Sequence, residues 1–301
     1  MRTQIANNPQ RERSRPHMVP VPAPDMGRMC VLTSTDTAEV LAFLSIRPVH
    51  TVVMTSFIND NGIVNVLNRG VFYGYRGTSG ELEGVALIGH STLVEARSDE
   101  ALRALAYTAR HASTPIHLVM SSGDAAERFW DHMTGGLRAP RLTCTEQLFE
   151  ISFPFAVRGQ EHKIETATEE WLIPVAEAQA EVAFIECGVD PMQKDREGFL
   201  SRVARRIGQG RVFIVTDGDK LVFKADIIAE TDECIYLEGI YVSPEYRGRG
   251  IGSDCLAALS LDLLGRVSNI CLLSNVEFAS AHRSFERAGF RNTDHCTTLF
   301  A

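Results

Sequence analysis

The sequence predicts a protein of the broad α/β class, and more narrowly an α+β fold, in which helices flank a mixed, mostly antiparallel sheet. Segments with helical and strand periodicity alternate along the 301 residues. The order helix, hairpin, strand, helix, strand, helix occurs once in each half of the chain. Hydrophobic residues make up 45% and charged residues 23%, proportions typical of a globular protein and not of a disordered, collagenous or coiled-coil chain.

The first half opens with residues 1–28, where Pro, Arg, Asn and Gln occur without periodicity, and we expect a flexible tail there. A helix is predicted from Asp36 until Pro48 stops it, and a second helical stretch covers TVVMTSFI and ends at a turn at Gly62. The later elements are predicted from their periodicity as the hairpin VFYGYR (71–76) and ELEGVALIGH (81–90), the strand STLVEA (91–96), the helix SDEALRALAYTARHA, the strand PIHLVMSS and the helix DAAERFWDHM.

The second half repeats this order. Its predicted elements are the helices ATEEWLIPVAEAQAEVAFIECG and DREGFLSRVARRI, the hairpin RVFIVTD and KLVFKADIIAE around Gly218, the strand CIYLEGIYV (234–242), the helix GIGSDCLAALSLDLL, the strand NICLLSN and the helix ASAHRSFERAG. A repeat of this kind indicates two related modules, at 29–155 and 160–301, joined within residues 143–162.

Charge is unevenly divided between the halves. Residues 1–160 hold 15 Arg, no Lys and 15 acidic residues, so the whole formal charge of −8 lies in residues 161–301. A nucleic-acid-binding protein normally carries the opposite sign, and we therefore exclude that class. An acidic half favours a cationic partner, although an ordinary solvated surface explains the same charge.

The chain shows no features of a membrane or secreted protein. No apolar run approaches the ~18 residues of a membrane span, and the N-terminus has no hydrophobic signal region, so we expect a cytoplasmic protein. The seven cysteines are scattered and never form a C-x-x-C pair. This pattern favours buried thiols over a disulfide framework or a zinc site.

One glycine-rich segment stands out between a predicted strand and a predicted helix. It runs YVSPEYRGRGIG (241–252), and Gly248, Gly250 and Gly252 permit positive φ and close backbone approach. Successive N–H groups can then converge on an anion at the start of the following helix, as a pyrophosphate site requires. A dinucleotide-binding or P-loop turn is disfavoured, because neither G-x-G-x-x-G with a distal acid nor Gly-Lys-Ser/Thr occurs. A plain turn is the remaining alternative.

At these residues the sequence resembles the GNAT N-acetyltransferases, whose pyrophosphate signature Q/R-x-x-G-x-G/A follows the fourth strand. The sequence RGRGIG (247–252) matches that signature, and the resemblance extends from His162 to the C-terminus, including the closing Ala-Gly-Phe at 288–290. IYLEGIYVSPEYRGRGIGSDCLAAL is most similar to spermidine/spermine acetyltransferases. The first half is similar only in element order and in LEGVALIGH, and RSDE (97–100) replaces the glycines there. The resemblance therefore implies a tandem GNAT protein with a degenerate N-terminal module that does not bind CoA.

The resemblance also implies which residues hold acetyl-CoA, and it implies no metal. The fourth strand would pair with the pantetheine arm, the glycine loop would hold the pyrophosphate, and Phe285 would pack on the pantetheine. The implied cofactor-binding residues are Ile240, Tyr241, Val242, Arg247, Gly248, Arg249, Gly250, Ile251, Gly252, Ser253, Asn275 and Phe285. For Asn275, a turn or N-cap role before the last helix is an equal alternative.

Catalysis requires a base, because a protonated amine cannot attack a thioester. Glu238 occupies the position at which the polyamine-acetylating relatives carry a glutamate, and partial burial at a strand splay would raise its pKa. An outward-facing, solvated glutamate is the alternative. The main-chain N–H near Val242 is expected to polarise the thioester oxygen.

Two departures from the family pattern concern the leaving thiolate and the acceptor. Phe285 stands where the family has a tyrosine general acid, and Phe278 stands where it often has asparagine, so water or His282 would have to serve, although His282 also fits an ordinary surface helix position. Gly239 replaces the acid that follows the base in polyamine-acetylating relatives. The thiols of Cys255 and Cys271 have no telling partners and are expected to be packing residues.

These observations predict an acyltransferase that moves an acetyl group from acetyl-CoA to a primary amine by direct attack in a ternary complex. The acceptor is a small molecule or a protein amine, and a cationic acceptor fits the acidic half. A CoA-binding regulatory protein with little activity is the alternative. Neither nucleic acid nor membrane is an expected partner, and the oligomeric state stays open.

Overall fold

The structure is a computed structural model that describes residues 23–153 and 162–301. Most of the predicted tail and the end of the predicted junction lie outside the described residues. Within the predicted tail, Met26–Arg28 forms a 3₁₀ helix capped by the side chain of Asp25. Residues 26–28 therefore have regular structure, which differs from the flexible tail expected there.

The described strands all belong to one sheet. They are β1 Met29–Val31, β2 Gly70–Arg76, β3 Leu82–Gly89, β4 Ser91–Ala96, β5 Leu118–Ser122, β6 Leu142–Ile151, β7 Glu165–Thr166, β8 Val212–Asp217, β9 Lys220–Glu230, β10 Cys234–Val242, β11 Asn269–Asn275 and β12 Arg291–Phe300. The predicted strands are all present, whereas β1, β6, β7 and β12 were not predicted.

Helices cover both faces of the sheet. They are α1 Thr37–Leu44, α2 Pro48–Asn61, α3 Asp99–Arg110, α4 Ala125–Thr134, α5 Leu172–Cys187, α6 Pro191–Lys194, α7 Arg196–Gly208, α8 Ile251–Leu263 and α9 Ala279–Arg287. Pro48 does not end α1 but begins α2 at its first position, where the missing N–H of proline costs no hydrogen bond. Among the described residues, no helix is long and apolar enough to cross a membrane.

The strand order is β1-β2-β3-β4-β5-β12-β6-β11-β10-β9-β8-β7. Only β4 with β5 and β10 with β11 run parallel among the described pairs, so the prediction of a mixed, mostly antiparallel sheet is confirmed. The last strand of each half crosses to the other half, because β6 lies between β12 and β11 while β12 lies between β5 and β6. The predicted junction at 143–162 is thus wrong for residues 143–151, which form a central strand. The module boundaries stay predictions.

The core of the second half depends on elements from the first. On one face, α8 and α9 cover buried residues of β9, β10 and β11. On the other face, Val52 of α2 and Leu148 of β6 pack with Tyr236 and Cys271. Each fully buried aliphatic side chain of this kind contributes ~1.5–3 kcal/mol to stability. Residues 162–301 therefore leave part of their core uncovered without the first half.

Candidate functional site

The parallel pair β10 and β11 separates in its second half. Register runs from Cys234 opposite Asn269 to Leu237 opposite Leu272, and stops there. A bulge follows immediately, because the register of β10 on β9 shifts between Glu238 and Tyr241. The bulge and the lost pairing together open a V-shaped gap between the two strands, with the backbone edge of β10 exposed to it.

Gly239 makes the bulge possible. Its φ is +59°, and a Cβ atom there would lie 2.2 Å from Oε1 of Gln179 and 2.6 Å from Nζ of Lys224. The Lys224 ammonium is fully buried, forms a 2.8 Å ion pair with Asp226, and donates to the Gly239 carbonyl at 3.0 Å. Arg206 binds the other Asp226 oxygen at 2.6 Å. This buried ionic network fixes the bulge from behind.

The glycine loop lies at the open end of the gap, between β10 and the start of α8. Gly248 and Gly250 have φ of +77° and +84°, values that L side chains rarely adopt. Gly252 differs from the prediction, since its φ is not positive and a Cβ there would lie 3.0 Å from Cγ2 of Val242. The absence of a side chain at Gly252 permits close packing of α8 on β10. The loop presents the N-terminus of a 13-residue helix, which suits an anion.

A first cleft, with an empty volume of about 1240 Å³, follows this loop. The structure brings most of the predicted cofactor-binding residues together along it, namely Ile240, Val242, Arg247, Gly248, Gly250, Ile251, Gly252, Ser253 and Phe285. The side chain of Arg249 instead lies over the ring of Tyr246 at 5.8 Å. Asn275 does not line the cleft; its Oδ1 accepts a hydrogen bond from the Glu277 N–H at 3.0 Å, which favours the turn alternative.

Sequence analysis missed the opposite wall of this cleft. Arg283 and Arg287 line it from one face of α9 at i, i+4 spacing, and both are exposed. Neither forms an ion pair within residues 23–153 and 162–301. The spacing of the two arginines in HRSFER was the available signal. The cleft therefore carries uncompensated positive charge across from the glycine loop.

Arg247 is held differently from the prediction. Its Nε donates to the Val242 carbonyl at 2.7 Å, and its Nη2 donates to Oε1 of Glu181 on α5 at 3.0 Å. The hydroxyl of Tyr241 donates to the other Glu181 oxygen at 2.8 Å. Since Glu181 compensates its charge, Arg247 links the loop to α5 more than it adds positive potential to the loop.

A second cleft of about 1020 Å³ continues from the first and passes through the strand gap. The two share walls formed by Ile240, Val242, Arg247, Ser280, Ala281 and Phe285. Beyond these walls the second cleft is lined by the acidic residues Glu238 and Glu186, by Ser274, and by the apolar residues Ile185 and Phe278. One continuous space therefore connects the anion-binding end of the first cleft with the acidic residues of the second cleft.

Glu238 lines this second cleft and is half-buried. Burial raises the pKa of its carboxyl group, while the hydrogen bond from Tyr236 and the charges of Arg206 and Lys224 partly oppose that shift. The Tyr236 hydroxyl donates to Oε1 of Glu238 at 2.7 Å. A carboxyl group with a raised pKa at the edge of a reaction cleft is suited to accept a proton near neutral pH.

Two further carboxyl groups, not identified from the sequence, lie near Glu238. Burial, followed by the charges of Glu238 and Glu146, raises the pKa of Glu186 to about 8, although its side chain is accessible from the cleft. Burial and the charge of Glu238 raise the pKa of Glu146 to about 7, against the opposing hydrogen bond from Thr298. Glu146 lies on β6, a strand that the first half supplies.

The positions where the family has tyrosine and asparagine face the second cleft, whereas the proposed substitute acid, His282, does not. Phe285 and Phe278 both line the second cleft. His282 is 9% exposed, and its Nε2 is 3.0 Å from the Asn275 carbonyl oxygen, on a ring packed against Phe149. The ring therefore has its own partner outside both clefts, which removes His282 as a general acid.

The corresponding gap between β4 and β5 in the first half is filled by protein. Register there ends at Leu93 opposite Met120. Beyond it, Ser121 Oγ donates to the Val94 carbonyl at 2.7 Å, and Arg47 Nη1 binds Glu95 at 3.1 Å and Ser122 at 3.0 Å. These bonds tie the two strands together across the gap and leave its backbone edge occupied.

Neither cleft contains a metal cluster. Across residues 23–153 and 162–301, no group of three or more His, Cys, Asp or Glu side chains is arranged to hold a metal ion. Five of the seven cysteines are buried, including Cys255 and Cys271.

Comparison with protein families gives one match, in the second half. Residues 208–292 match the model described as "Acetyltransferase (GNAT) domain". This range contains the bulged strand, the glycine loop and α9. No curated protein matches the sequence.

Solved structures resemble both halves. A Drosophila protein aligns with a TM-score of 0.66 at 13% identity, covering 91% of this chain and 98% of its own. A GNAT-family acetyltransferase from Colwellia psychrerythraea gives 0.58 at 13% identity, covering 91% and 99%. A tandem GNAT protein from the clavulanic acid biosynthesis pathway, solved without AcCoA, gives 0.56 at 13% identity, covering 91% and 97%. At these identities the likeness concerns the fold, and it includes the tandem arrangement.

Proposed function

We propose that this chain transfers the acetyl group of acetyl-CoA to a primary amine by direct attack in a ternary complex, because residues 208–292 match the family model of a GNAT acetyltransferase domain. The observation that carries this proposal is the continuity of the two clefts. One end offers a glycine loop and free arginines to an anion, and the other end offers a carboxyl group with a raised pKa to an amine. No metal is part of the proposal.

Three features of the first cleft support acetyl-CoA as the proposed substrate. The loop backbone is open to phosphate oxygens at Gly248, where no atom lies within 4 Å of the Cβ position, while at Gly250 the Oδ2 atom of Asp254 lies 3.8 Å from that position. Arg283 and Arg287 supply positive charge from the other wall. The unpaired edge of β10 offers backbone groups to the amides of the pantetheine arm. The Arg247 Nε–H donates a hydrogen bond to the Val242 carbonyl oxygen. This hydrogen bond must break if that oxygen is to accept one from a pantetheine amide in its place.

Glu238 is the proposed general base. The acceptor nitrogen enters as an ammonium ion and passes one proton to the Glu238 carboxylate, directly or through water. The free electron pair then attacks the thioester carbon and the C–S bond breaks. The second proton that the new amide nitrogen loses passes through water to the thiolate, so that the products are the amide and free CoA. A main-chain N–H near Val242 stabilises the oxyanion that forms on the way.

No tyrosine stands at position 285, where the resembling family carries its general acid. Phe285 packs edge-on against Phe149 at 5.5 Å and has no proton to donate. Water in the open first cleft serves instead. Departure of the thiolate is therefore the step that this chain supports least.

The experiment is thiol release. The protein is incubated with acetyl-CoA and a panel of primary amines, and free CoA is followed with a thiol reagent. Amine-dependent release above background hydrolysis supports the transferase, whereas CoA binding without release would support the regulatory alternative. We also propose that the acceptor is cationic and that the protein is cytoplasmic.

A further inference from the structure

Basic side chains from both halves converge where α7 passes the first half. Arg69 lies between a short 3₁₀ helix, Val66–Asn68, and the start of β2. Its guanidinium group forms no hydrogen bond and no ion pair within residues 23–153 and 162–301. Burial and the charge of Arg202 on α7 lower the pKa of Arg69, while the charge of Asp195 opposes them. Two arginines from different halves therefore lie close enough to repel each other.

Two histidines of the first half stand beside Arg69. The His90 N–H donates to the Arg69 carbonyl at 3.0 Å, and the His117 N–H donates to the His90 carbonyl at 3.0 Å. The centroids of the two imidazole rings are 4.2 Å apart. Burial lowers the pKa of His90 to about 4. Nearby positive charges act in the same direction, and they belong to Arg69, His117, Arg202 and Lys194.

The next contact along the same helix is balanced by comparison. Arg205 of α7 donates to Oδ1 of Asn61 in the first half at 3.3 Å. Three positions earlier, Arg202 has only the like charge of Arg69 across the interface. Its carboxylate partner, Asp195 at 3.5 Å, belongs to its own half. The cluster is thus a local excess of positive charge and not a general property of this interface.

The backbone fixes the position of Arg69. Its φ is +53°, the single positive value of a residue other than glycine in the part of the chain that the structure describes. Such a conformation is unfavourable for a residue with a Cβ atom and is kept only where the surroundings enforce it. Here they do, because a Cβ atom at Gly89 would lie 2.2 Å from the Arg69 carbonyl oxygen. The turn therefore holds the start of the arginine side chain in one place.

A phosphate dianion matches this set of groups. Arg69, Arg202 and Lys194 carry three permanent positive charges against the one negative charge of Asp195, which leaves two uncompensated. Guanidinium groups bind phosphate oxygens in pairs, and a neutral imidazole can donate one N–H to a further oxygen. A carboxylate would balance only one of the two charges, and an apolar ligand would balance neither.

We propose that this cluster binds the phosphate group of a small ligand between the two halves, through Arg69, His90, His117, Lys194 and Arg202. The site is separate from the proposed CoA cleft, whose lining residues all belong to the second half. It also lies at the opposite end of β4 from residues 97–100, because His90 precedes that strand and Arg97 follows it. The inference therefore goes beyond the proposed acetyl transfer and does not depend on it.

The test follows the imidazole NMR signals of the two histidines while inorganic phosphate is added at constant ionic strength. The signals are assigned by their loss in His90→Asn and in His117→Asn. Both should shift saturably in the wild type, and the pKa of His90 should rise by about one unit or more, because a bound dianion favours the imidazolium form. Chloride at the same ionic strength should not produce these shifts. No histidine lines the first cleft, so phosphate bound there does not mimic the result.

Two substitutions, one in each half, locate the bound phosphate. Arg69→Gly removes the guanidinium group and keeps the backbone, because glycine adopts positive φ freely. It should weaken phosphate binding by about 10-fold or more, as the loss of a charge-assisted hydrogen bond does, and Arg202→Gln should do the same. Arg205→Gln is the matched control on the same helix, and it should change the Kd by less than about two-fold.

Three results would overturn the inference. They are histidine signals that do not shift saturably up to about 10 mM phosphate, equal shifts with chloride, and a phosphate Kd that neither Arg69→Gly nor Arg202→Gln changes. Each of them would leave the proposed acetyl transfer as it stands, since thiol release is measured at the other site.

Discussion

The Tyr236 hydroxyl donates a 2.7 Å hydrogen bond to Oε1 of Glu238, two residues further along the same strand. The strand alternation that puts both side chains on one face breaks immediately afterwards, at the Gly239 bulge. Glu238 is thus the first residue of β10 beyond its pairing with β11. The tyrosine orients the carboxyl group and lowers its pKa, against the larger opposite effect of burial.

Replacing Glu238 with Gln should reduce kcat/KM by about 10²–10⁴-fold near pH 7, because the amide keeps the size of the side chain and removes its basicity. Wild-type activity should rise with pH as Glu238 loses its proton. The deficit of the variant should shrink at high pH, where the free amine needs no base. Steady-state rates from pH 6 to 9 measure this. An unchanged kcat/KM across that range would remove Glu238 from the mechanism.

The Tyr236→Phe substitution removes a hydrogen bond that lowers the Glu238 pKa. The acidic limb of the pH–rate profile should therefore move to higher pH, while the rate on the plateau stays within a few-fold. If the acidic limb of the pH–rate profile does not shift and only the plateau rate falls, Tyr236 acts by packing and does not set the pKa of Glu238.

Gly250→Asp should abolish CoA binding, since a side chain and a negative charge enter the phosphate loop. Gly218→Asp is the control, because Gly218 also has positive φ, +63°, in the β8–β9 turn and outside both clefts. Calorimetry with the wild type should give one CoA site per chain. Two sites of similar affinity would mean that the first half binds CoA despite the bonds of Arg47 across its strand gap.

The double substitution of Arg283 and Arg287 by Ala should weaken CoA binding by about 10-fold or more and flatten its salt dependence, because two uncompensated cations face the cleft. Binding of pantetheine, which lacks phosphate, should not change. Arg266→Ala, on an arginine paired with Glu230, serves as control. Equal losses for CoA and pantetheine would indicate a packing role instead.

Residues 162–301 alone should fold poorly. They lack β6, which separates β11 from β12, and they lack α2, whose Val52 covers Tyr236 and Cys271. Circular dichroism and denaturant unfolding of this fragment should show a non-cooperative or strongly destabilised transition beside that of the full chain. A soluble, cooperatively folding and fully active fragment would contradict the structural role assigned to the first half.

The sequence was sufficient for elements with strong periodicity and failed for the two exchanged strands. RNTDHCTTLF of β12 has mostly polar residues and resembles a surface segment, yet Thr297 and Thr298 are 3% and 7% exposed. Their hydroxyl groups donate to the Gly123 carbonyl and to Glu146. Such partners come from distant parts of the chain, so periodicity alone does not show that these residues are buried.

The candidate site was likewise predictable only in part. The glycine loop and Glu238 belong to one continuous segment whose pattern carries its own signal. Glu186 lies on a helix more than fifty positions earlier, in a sequence where a glutamate predicts a solvated face. Only the packing of α5 over the gap in β10 and β11 brings it to the cleft.

The exchange of β6 and β12 also affects how the chain is made. Ribosomes deliver the N-terminal half first, yet β5 and β6 remain without β12 between them until Arg291–Phe300 has emerged. Throughout synthesis the nascent protein exposes strand edges that can pair with neighbouring chains. Translation that stops before Arg291 would leave both edges open for good, so even a short C-terminal truncation should produce an aggregation-prone protein and not merely a weaker enzyme.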